Sequence, residues 1–151
     1  MSSIPRALGI RRLSSSPSPP LKADETGRPI FLDLLRRKRP ERQIYVFDRQ
    51  LTAHSECIPP TEFLILGDGR ETLPVMWDTL PRSVALAHID IGTGDIDGNS
   101  HLAAEIVRLI APLMRSNAVV VSDPPCHQPG WSALPLPIGV RAGRYHLYLV
   151  R

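Results

Sequence analysis

The sequence is poor in cysteine and in long apolar runs, and each shortage excludes a class of protein. Its 151 residues include two cysteines, Cys57 and Cys126. They are too few for a disulfide framework and fit no usual zinc spacing, so we predict reduced thiols. No apolar run approaches the roughly 20 residues that span a bilayer, and no secretory signal follows the N-terminus. We therefore expect a cytoplasmic protein that contacts no membrane.

Charge is distributed unevenly along the chain. Residues 1–42 contain ten Lys and Arg against four acids, whereas residues 43–151 contain eight against eleven. The basic character therefore belongs to the head of the chain, which argues against a globally basic nucleic-acid-binding domain and leaves a basic arm open. We interpret the run RRKRPER at 36–42 as the solvated end of a short helix rather than as a phosphate-binding patch.

The chain divides into two unlike segments. Residues 1–27 show no helical or strand period, and SSSPSPP at 14–20 disfavours regular structure, so we predict a disordered, basic head rich in Ser, Pro and Arg. An organellar transit peptide has a similar composition and stays an alternative for this head. Residues 28–151 alternate between strand and helix patterns, and we assign them to one α/β domain.

Within residues 28–151, apolar β-prone runs predict strands at 43–48, 62–67, 84–90 and 118–122. A helix is predicted over part of 70–80, and a clearer one at 100–115, where Leu102, Ile106 and Leu109 lie on one helical stripe. The closing segment GRYHLYLVR alternates like an antiparallel strand at an edge. Strands separated by helices predict a doubly wound α/β fold.

Each of the four predicted strands ends at a carboxylate, namely Asp48, Asp68, Asp90 and Asp123. In an open parallel sheet the ligand crevice lies outside the carboxyl ends of the strands, so these acids indicate a ligand site. Asp48 is placed to accept hydrogen bonds from ribose hydroxyls. Asp68 is placed to accept one from an adenine amino group, with Gly67 letting the backbone approach. That these acids only cap turns or helices stays an alternative.

Five segments in order, RQIYVFDR, LILGDGRETLP, AHIDIGTGD, VVVSDPP and WSALPLPIGVRAGRYHLYLVR, resemble a small family of bacterial class I S-adenosylmethionine-dependent methyltransferases. The resemblance covers residues 27–151. It implies a Rossmann-like, mostly parallel sheet with an antiparallel C-terminal edge strand, and S-adenosyl-L-methionine as cofactor. It carries cofactor contacts onto Asp48 with Arg49, onto Gly67 with Asp68, and onto Asp90. It implies neither a metal nor a named catalytic residue.

The head of the chain departs from that family. The family has a first strand followed by a glycine-rich loop. In this sequence only TGR at 26–28 could represent the end of that loop. We therefore expect the first strand to be degenerate or missing, which would leave a gap at the centre of the sheet. Sixteen Arg against two Lys suggest a GC-rich gene. From this we hypothesise a truncated or frame-shifted family member.

Other motifs allow rival interpretations. DPPC at 123–126 is similar to the (D/N)PP(aromatic) motif of amino-methyltransferases, but Cys126 stands where the aromatic should be, so we assign Asp123 to a loop cap or a pocket wall. A metal site could be drawn from His54, Cys57, Cys126 and His127, although the spacing is unusual. His88 suits either a core histidine or a general base. His101 is expected to face solvent.

The resemblance implies transfer of a methyl group from S-adenosyl-L-methionine to an unknown acceptor, with positioning supplying most of the rate enhancement, and a truncated chain would be inactive. The alternative is a non-catalytic, degenerate Rossmann-like domain whose basic N-terminal arm binds a polyanion or a protein partner. Besides the acceptor, the expected partner is a second copy of the chain in a homo-oligomer. Neither nucleic acid nor a membrane is expected to bind.

Overall fold

The computed structural model describes residues 6–11, 37–50, 58–91 and 95–151. Within these residues, seven strands form one sheet in the order β3-β2-β1-β4-β5-β7-β6. The strands are β1 (Arg6–Arg11), β2 (Gln43–Asp48), β3 (Leu64–Leu66), β4 (Val84–Asp90), β5 (Met114–Ser122), β6 (Trp131–Leu134) and β7 (His146–Val150).

Five strands, β1 to β5, run parallel, whereas β7 pairs antiparallel with both β5 and β6. The strand order reverses between β1 and β4, because β2 and β3 extend the sheet on one side of β1 and the chain then returns to place β4 and β5 on the other. Such a reversal is the point at which open α/β sheets bind ligands. The predicted class, a Rossmann-like and mostly parallel sheet with an antiparallel C-terminal edge, is confirmed.

The first strand is present, which corrects the expectation that it is degenerate or missing. Arg6–Arg11, which we assigned to the disordered head, pairs with β2 on one side and β4 on the other. Ala7, Leu8 and Ile10 are buried, and the Arg6 guanidinium donates to Gln43 and Ser83 at 3.2 and 3.0 Å. The strand is too short to show a sequence period, and its two neighbours supply the hydrogen-bonding partners that define it.

In the described residues, two helices cover one face of the sheet, and both were predicted with shifted ends. Helix α1 is Gly69–Val75, and helix α2 is Ile96–Ile110. Helix α2 begins four residues before the predicted start because Asp95 caps it by accepting a hydrogen bond from the Gly98 amide at 3.1 Å. A 3₁₀ turn at Ala111–Leu113 then leads directly into β5.

The predicted strands at 43–48 and 84–90 coincide with β2 and β4. The other two differ in extent: β3 is shorter than predicted because a 3₁₀ turn occupies Thr61–Phe63, and β5 begins at Met114 rather than 118. Strand β7 is antiparallel as predicted, and β6 lies outside it as the outermost strand. The antiparallel edge therefore consists of a hairpin rather than one strand.

The larger hydrophobic core lies between the two helices and one sheet face, where Phe47, Ile89 and Val107 pack together. A smaller cluster of Ala7, Ile44 and Val46 lies on the opposite face. Among the described helices none is long and apolar enough to cross a membrane. Residues 31–36, which begin the short helix predicted to end at Pro40, lie outside the described residues, as does the predicted head apart from Arg6–Arg11.

Candidate functional site

A cavity of about 270 Å³ lies at the carboxyl ends of β1 to β4. Its floor is formed by residues at or just beyond the strand ends, among them Ile10 of β1, Phe47 of β2 and Ile91 after β4. Because β1 and β4 are the strands on either side of the order reversal, the cavity occupies the position where a doubly wound sheet binds its ligand.

Helix α2 supplies one wall of the cavity. Leu102 and Ile106 give it an apolar surface, while His101 and Glu105 give it polar groups. Leu102 and Ile106 were placed on the apolar stripe of a predicted helix, but sequence periodicity could not show that part of that stripe faces a cavity. His101 is exposed, as expected, and also borders the cavity.

Asp68 lines the cavity and is already paired. Its Oδ1 accepts from the Arg70 amide at 2.9 Å and from Arg70 Nε at 3.0 Å, and its Oδ2 accepts from Arg70 Nη2 at 2.7 Å. The carboxylate thus caps α1 and forms a bidentate ion pair. The hydrogen bond from Arg70 is the main cause that lowers the pKa of Asp68 to about 2. Oδ2 keeps room for one more donor.

The segment around Asp68 needs its glycines. Gly67 has φ +139°, and a Cβ placed there would lie 2.9 Å from Thr72 Cγ2. A Cβ on Gly69 would lie 3.1 Å from Ile106 Cδ1, across the gap between α1 and α2. Both glycines line the cavity. Side chains at these two positions would therefore crowd α1 and the wall that α2 provides.

Asp48 ends β2 next to the cavity but does not line it, whereas its neighbours Phe47 and Arg49 do. The residue is buried, at 5% exposure. Its Oδ1 accepts from the Gln50 amide at 3.3 Å, and its carbonyl oxygen accepts from the Gly67 amide at 2.9 Å. Asp48 therefore ties the end of β2 to the end of β3.

The two remaining strand-end acids lie outside the cavity lining. Asp90 ends β4, is half-buried, and lies beside Arg11 of β1 in the strand register. Asp123 Oδ1 accepts from the Ile91 amide at 3.1 Å, and the Asp123 amide donates to the Ile89 carbonyl at 3.1 Å. The interpretation of Asp123 as a loop cap is therefore confirmed, because both bonds join the ends of β4 and β5.

Cys126 follows β5 in the loop that contains DPPC. Its amide donates to Tyr148 Oη at 3.0 Å, and burial raises the pKa of its thiol. Within the described ranges no group of three metal-ligand side chains occurs, while His54 and Cys57 of the hypothetical metal set lie outside those ranges.

His88 lies in β4 and is half-buried. Its ring contacts Tyr145, with the two ring centroids 6.2 Å apart, and it does not line the cavity. In register it lies beside Gly9 of β1 and Val121 of β5, so it belongs to the sheet face opposite the main core. The structure thus separates His88 from the cavity side of the sheet.

A family model described as S-adenosyl-L-methionine methyltransferase matches residues 26–150. The crystal structure of an S-adenosyl-L-methionine methyl transferase from Silicibacter pomeroyi DSS-3 is 30% identical and has a TM-score of 0.78, with 97% of this chain and 82% of that chain covered. The chain therefore belongs to the S-adenosyl-L-methionine methyltransferase family, and S-adenosyl-L-methionine is its cofactor.

More distant solved structures share the fold. The antibiotic-resistance methyltransferase Kmr is 9% identical with a TM-score of 0.54, covering 99% of this chain and 88% of that one. The MycE methyltransferase from the mycinamycin biosynthetic pathway, solved with Mg and SAH, is 16% identical with a TM-score of 0.53, covering 80% of this chain and 27% of that one. No curated protein matches the chain.

Proposed function

We propose that this chain transfers a methyl group from S-adenosyl-L-methionine to an acceptor, and that it binds the adenosine part of the cofactor in the cavity at the ends of β1 to β4. The observation that carries the proposal is the position of that cavity at the order reversal of a sheet whose family is defined by this cofactor. The proposed domain comprises Arg6–Arg11 together with the predicted range 28–151.

The composition of the cavity supports binding of a nucleoside. Small-molecule pockets usually measure about 300–1,000 Å³, so a volume of about 270 Å³ suits one portion of the cofactor rather than all of it. Ile10, Phe47 and Leu102 offer apolar surfaces for a purine ring, and Asp68 and Glu105 offer acceptors for its amino group and for hydroxyls. The residues present therefore fit the adenosine portion.

We assign roles to the predicted site residues on this basis. Asp68 accepts a hydrogen bond from the adenine amino group through the remaining lone pair of Oδ2, while Gly67 keeps the backbone close to the ring. Asp48 lies on the opposite side of β2 from Phe47 and Arg49, because side chains alternate along a strand. We propose that the adenine lies in the cavity and that the ribose extends from it over the end of β2, where Asp48, outside the lining, accepts from its hydroxyls and Arg49 closes the rim.

Asp90 marks the remaining part of the proposed site. It ends β4 on the other side of β1 from Asp48, so a ligand lying across the strand ends passes from one acid to the other. We propose that Asp90 borders the crevice in which the acceptor meets the methyl group. The protein then contributes mainly alignment of the acceptor lone pair, which is the principal requirement of such a transfer.

Calorimetric titration of the folded chain with S-adenosylhomocysteine tests the proposal. We expect one-to-one binding, and Asp48→Ala should weaken it by about 1.5–3 kcal/mol, the contribution of a charged hydrogen-bond acceptor. Asp78→Ala is the matched control, because Asp78 is exposed in the turn after α1 and does not line the cavity. A folded chain that binds no S-adenosylhomocysteine would overturn the proposed function.

The non-catalytic alternative has lost one of its premises. It assumed a sheet without its central strand and a head free to act as an arm. In the structure, β1 lies between β2 and β4, and the Arg6 side chain donates hydrogen bonds to Gln43 and Ser83. No described contact favours a polyanion partner. The homo-oligomer, the cytoplasmic location and the frame-shifted head stay predictions.

A further inference from the structure

The loop between β6 and β7, residues 135–145, leaves the sheet at the same edge as the cavity. Strand β7 runs antiparallel to both β5 and β6, so β6 runs in the same direction as β4 and β5. The carboxyl end of β6 therefore lies at the edge where β4 and β5 end. The loop and the cavity therefore share one edge of the sheet, although none of the described residues of this loop lines the cavity.

Charge divides this edge into two halves. Asp123 is the last acid in the chain, and residues 124–151 contain three arginines but neither Asp nor Glu. Two of those arginines, Arg141 and Arg144, lie in the loop and are exposed. Within the described part of the chain neither forms an ion pair with a carboxylate. The cavity half carries acids together with arginines, whereas the loop half presents guanidinium groups and no acid.

The loop is attached to β4 through an aromatic contact. The Tyr145 ring packs against the ring of His88 with centroids 6.2 Å apart, and the guanidinium carbon of Arg144 lies 5.5 Å from the centre of the Tyr145 ring. His88 is two residues before Asp90, where β4 ends. These contacts hold the cationic end of the loop beside the end of β4, on the sheet face opposite the main core, which is also the face of Asp90.

The backbone of the loop has a defined turn. The Val140 amide donates to the Pro137 carbonyl at 3.1 Å, and Gly139 and Gly143 have φ angles of +88° and +80°. Ile138, inside this turn, is fully exposed, and Val140 is exposed as well. The loop therefore presents apolar side chains and guanidinium groups together, which is suitable for a ligand with an anionic group and an apolar body.

We propose that the methyl acceptor carries a carboxylate or phosphate group and that Arg141 and Arg144 bind this anion. The proposal rests on the proposed methyl transfer and names the substrate class of that reaction. The planar guanidinium group presents a fork of donors that matches the oxygens of carboxylates and phosphates, which makes arginine the residue suited to such groups. Ile138 and Val140 would contact the apolar body of the acceptor.

The chemical step balances without a further co-reactant. A lone pair on the acceptor atom forms a bond to the methyl carbon while the bond from that carbon to sulfur breaks, and its electron pair stays on sulfur. The products are the methylated acceptor and S-adenosylhomocysteine, and a proton passes to solvent where the acceptor atom carried one. Because the arginines bind a remote anion, they position the acceptor and take no part in the bond changes.

The test measures anion binding by the full chain saturated with S-adenosylhomocysteine. Three probes are titrated calorimetrically: phenyl phosphate, benzoate and neutral benzamide. We expect one of the two anions to bind at least about ten-fold more tightly than benzamide, and Arg141→Gln to remove about ten-fold of that affinity. The comparison of phenyl phosphate with benzoate distinguishes a phosphate-bearing from a carboxylate-bearing acceptor.

Arg115→Gln is the matched control, because Arg115 is an exposed arginine at the start of β5, at the opposite edge of the sheet. It should leave anion binding unchanged. Arg144→Gln is compared with Arg141→Gln after circular dichroism shows that both are folded, since Arg144 also contacts Tyr145. Equal affinity for benzamide and the anions, or no difference between the wild type and Arg141→Gln, would overturn the proposal.

The outcomes also separate this proposal from the proposed function. Binding of S-adenosylhomocysteine with no preference for anions would overturn the anionic acceptor alone. If the wild-type chain binds no S-adenosylhomocysteine, the proposed function fails, and the anion titrations are repeated on the free chain. Arginine-dependent anion binding there would still support a site in the loop.

Discussion

The carboxyl edge of the sheet consists of two halves that are built differently. In the first half, parallel strands β1 to β4 end at a cavity, and the acids Asp48, Asp68 and Asp90 stand at three of those ends. In the second half, the antiparallel hairpin of β6 and β7 carries a proline-containing loop with exposed arginines and no acid. The side chains of the first half are carried by strand ends, and those of the second half are carried by a loop.

The difference indicates how the two halves divide the work of a transferase. Strand ends in a parallel sheet are fixed by pairing on both sides, so they suit a cofactor that every turnover requires. A hairpin loop at the sheet edge can change its side chains without disturbing the core, so it suits recognition of one particular acceptor. In this chain the hydrogen bonds of Asp123 to Ile89 and Ile91 join the end of β4, in the first half, to the end of β5, which lies between the two halves.

The largest effect should come from the centre of the first half. Leu8→Ala removes a buried side chain of β1 and should lower the free energy of unfolding by about 2–5 kcal/mol, the usual cost of such a cavity. Denaturant unfolding measures this change. Leu66→Ala in the edge strand β3, where the side chain is half-exposed, is the control and should cost much less. Equal small losses would place residues 6–11 outside the sheet.

Glycines in the two halves give the next comparison. Gly67→Ala combines a positive φ with a Cβ only 2.9 Å from Thr72 Cγ2 and should destabilise the fold by about 1–3 kcal/mol. Gly139 also has a positive φ, but no described atom lies within 4 Å of a Cβ placed there. Gly139→Ala should therefore destabilise the fold less than Gly67→Ala. Thermal melts of both variants measure the loss of stability. A larger loss for Gly139→Ala than for Gly67→Ala would contradict the prediction that Gly67 is the more constrained position.

Tyr148→Phe tests the attachment of the DPPC loop to the second half. The change removes the acceptor of the Cys126 amide, a hydrogen bond of 3.0 Å, and should cost about 0.5–1.5 kcal/mol. Tyr145→Phe retains its ring contact with His88 and serves as the control. Urea midpoints measure both changes. A wild-type midpoint for Tyr148→Phe would mean that Tyr148 Oη contributes nothing to stability.

The smallest effect concerns the Asp68 ion pair and its pH dependence. The pKa of Asp68 falls from 3.8 to about 2, mainly because Arg70 donates hydrogen bonds to it. A lowered folded pKa stabilises the protein above pH 4, and this contribution is lost as pH falls from about 4 towards 2. Arg70 is half-exposed, so solvent screening reduces the contribution to about 0.5–1 kcal/mol.

Asp68→Asn measures this contribution, because asparagine can still cap α1. The variant should be less stable than the wild type at neutral pH, and the difference should vanish as pH falls towards 2. Asp78→Asn, in an exposed turn, should show no such convergence. A difference between Asp68→Asn and the wild type that persists unchanged at pH 2 would contradict the assigned pKa.

Much of the first half could be predicted from sequence because its signals are local. The runs ending at Asp48 and Asp90 identify β2 and β4, and the stripe of Leu102 and Ile106 identifies α2. Strand β1 could not be found in this way: RALGIR is short, and only pairing with β2 and β4 makes it a strand. The family model likewise begins at residue 26, whereas the Silicibacter structure matches 97% of the chain.

The limits of prediction at the site are also physical. Because Asp48 and Asp68 follow predicted strands, the sequence predicted both at one edge of the sheet. It could not show that Asp48 is buried or that Arg70 pairs with Asp68. These facts depend on side-chain packing. Glu105 was not predicted as a site residue, because a lone acid on a helix usually faces solvent. Its position beside the cavity depends on how α2 packs on the sheet.

The most direct measurement is amide hydrogen exchange of the full chain with and without S-adenosylhomocysteine, followed by mass spectrometry of its peptides. Binding at the strand ends predicts added protection in peptides that contain residues 66–70 and 98–106, with little change in residues 131–150. Protection confined to residues 131–150, or no protection at any concentration of S-adenosylhomocysteine, would contradict a cofactor site at the ends of β1 to β4.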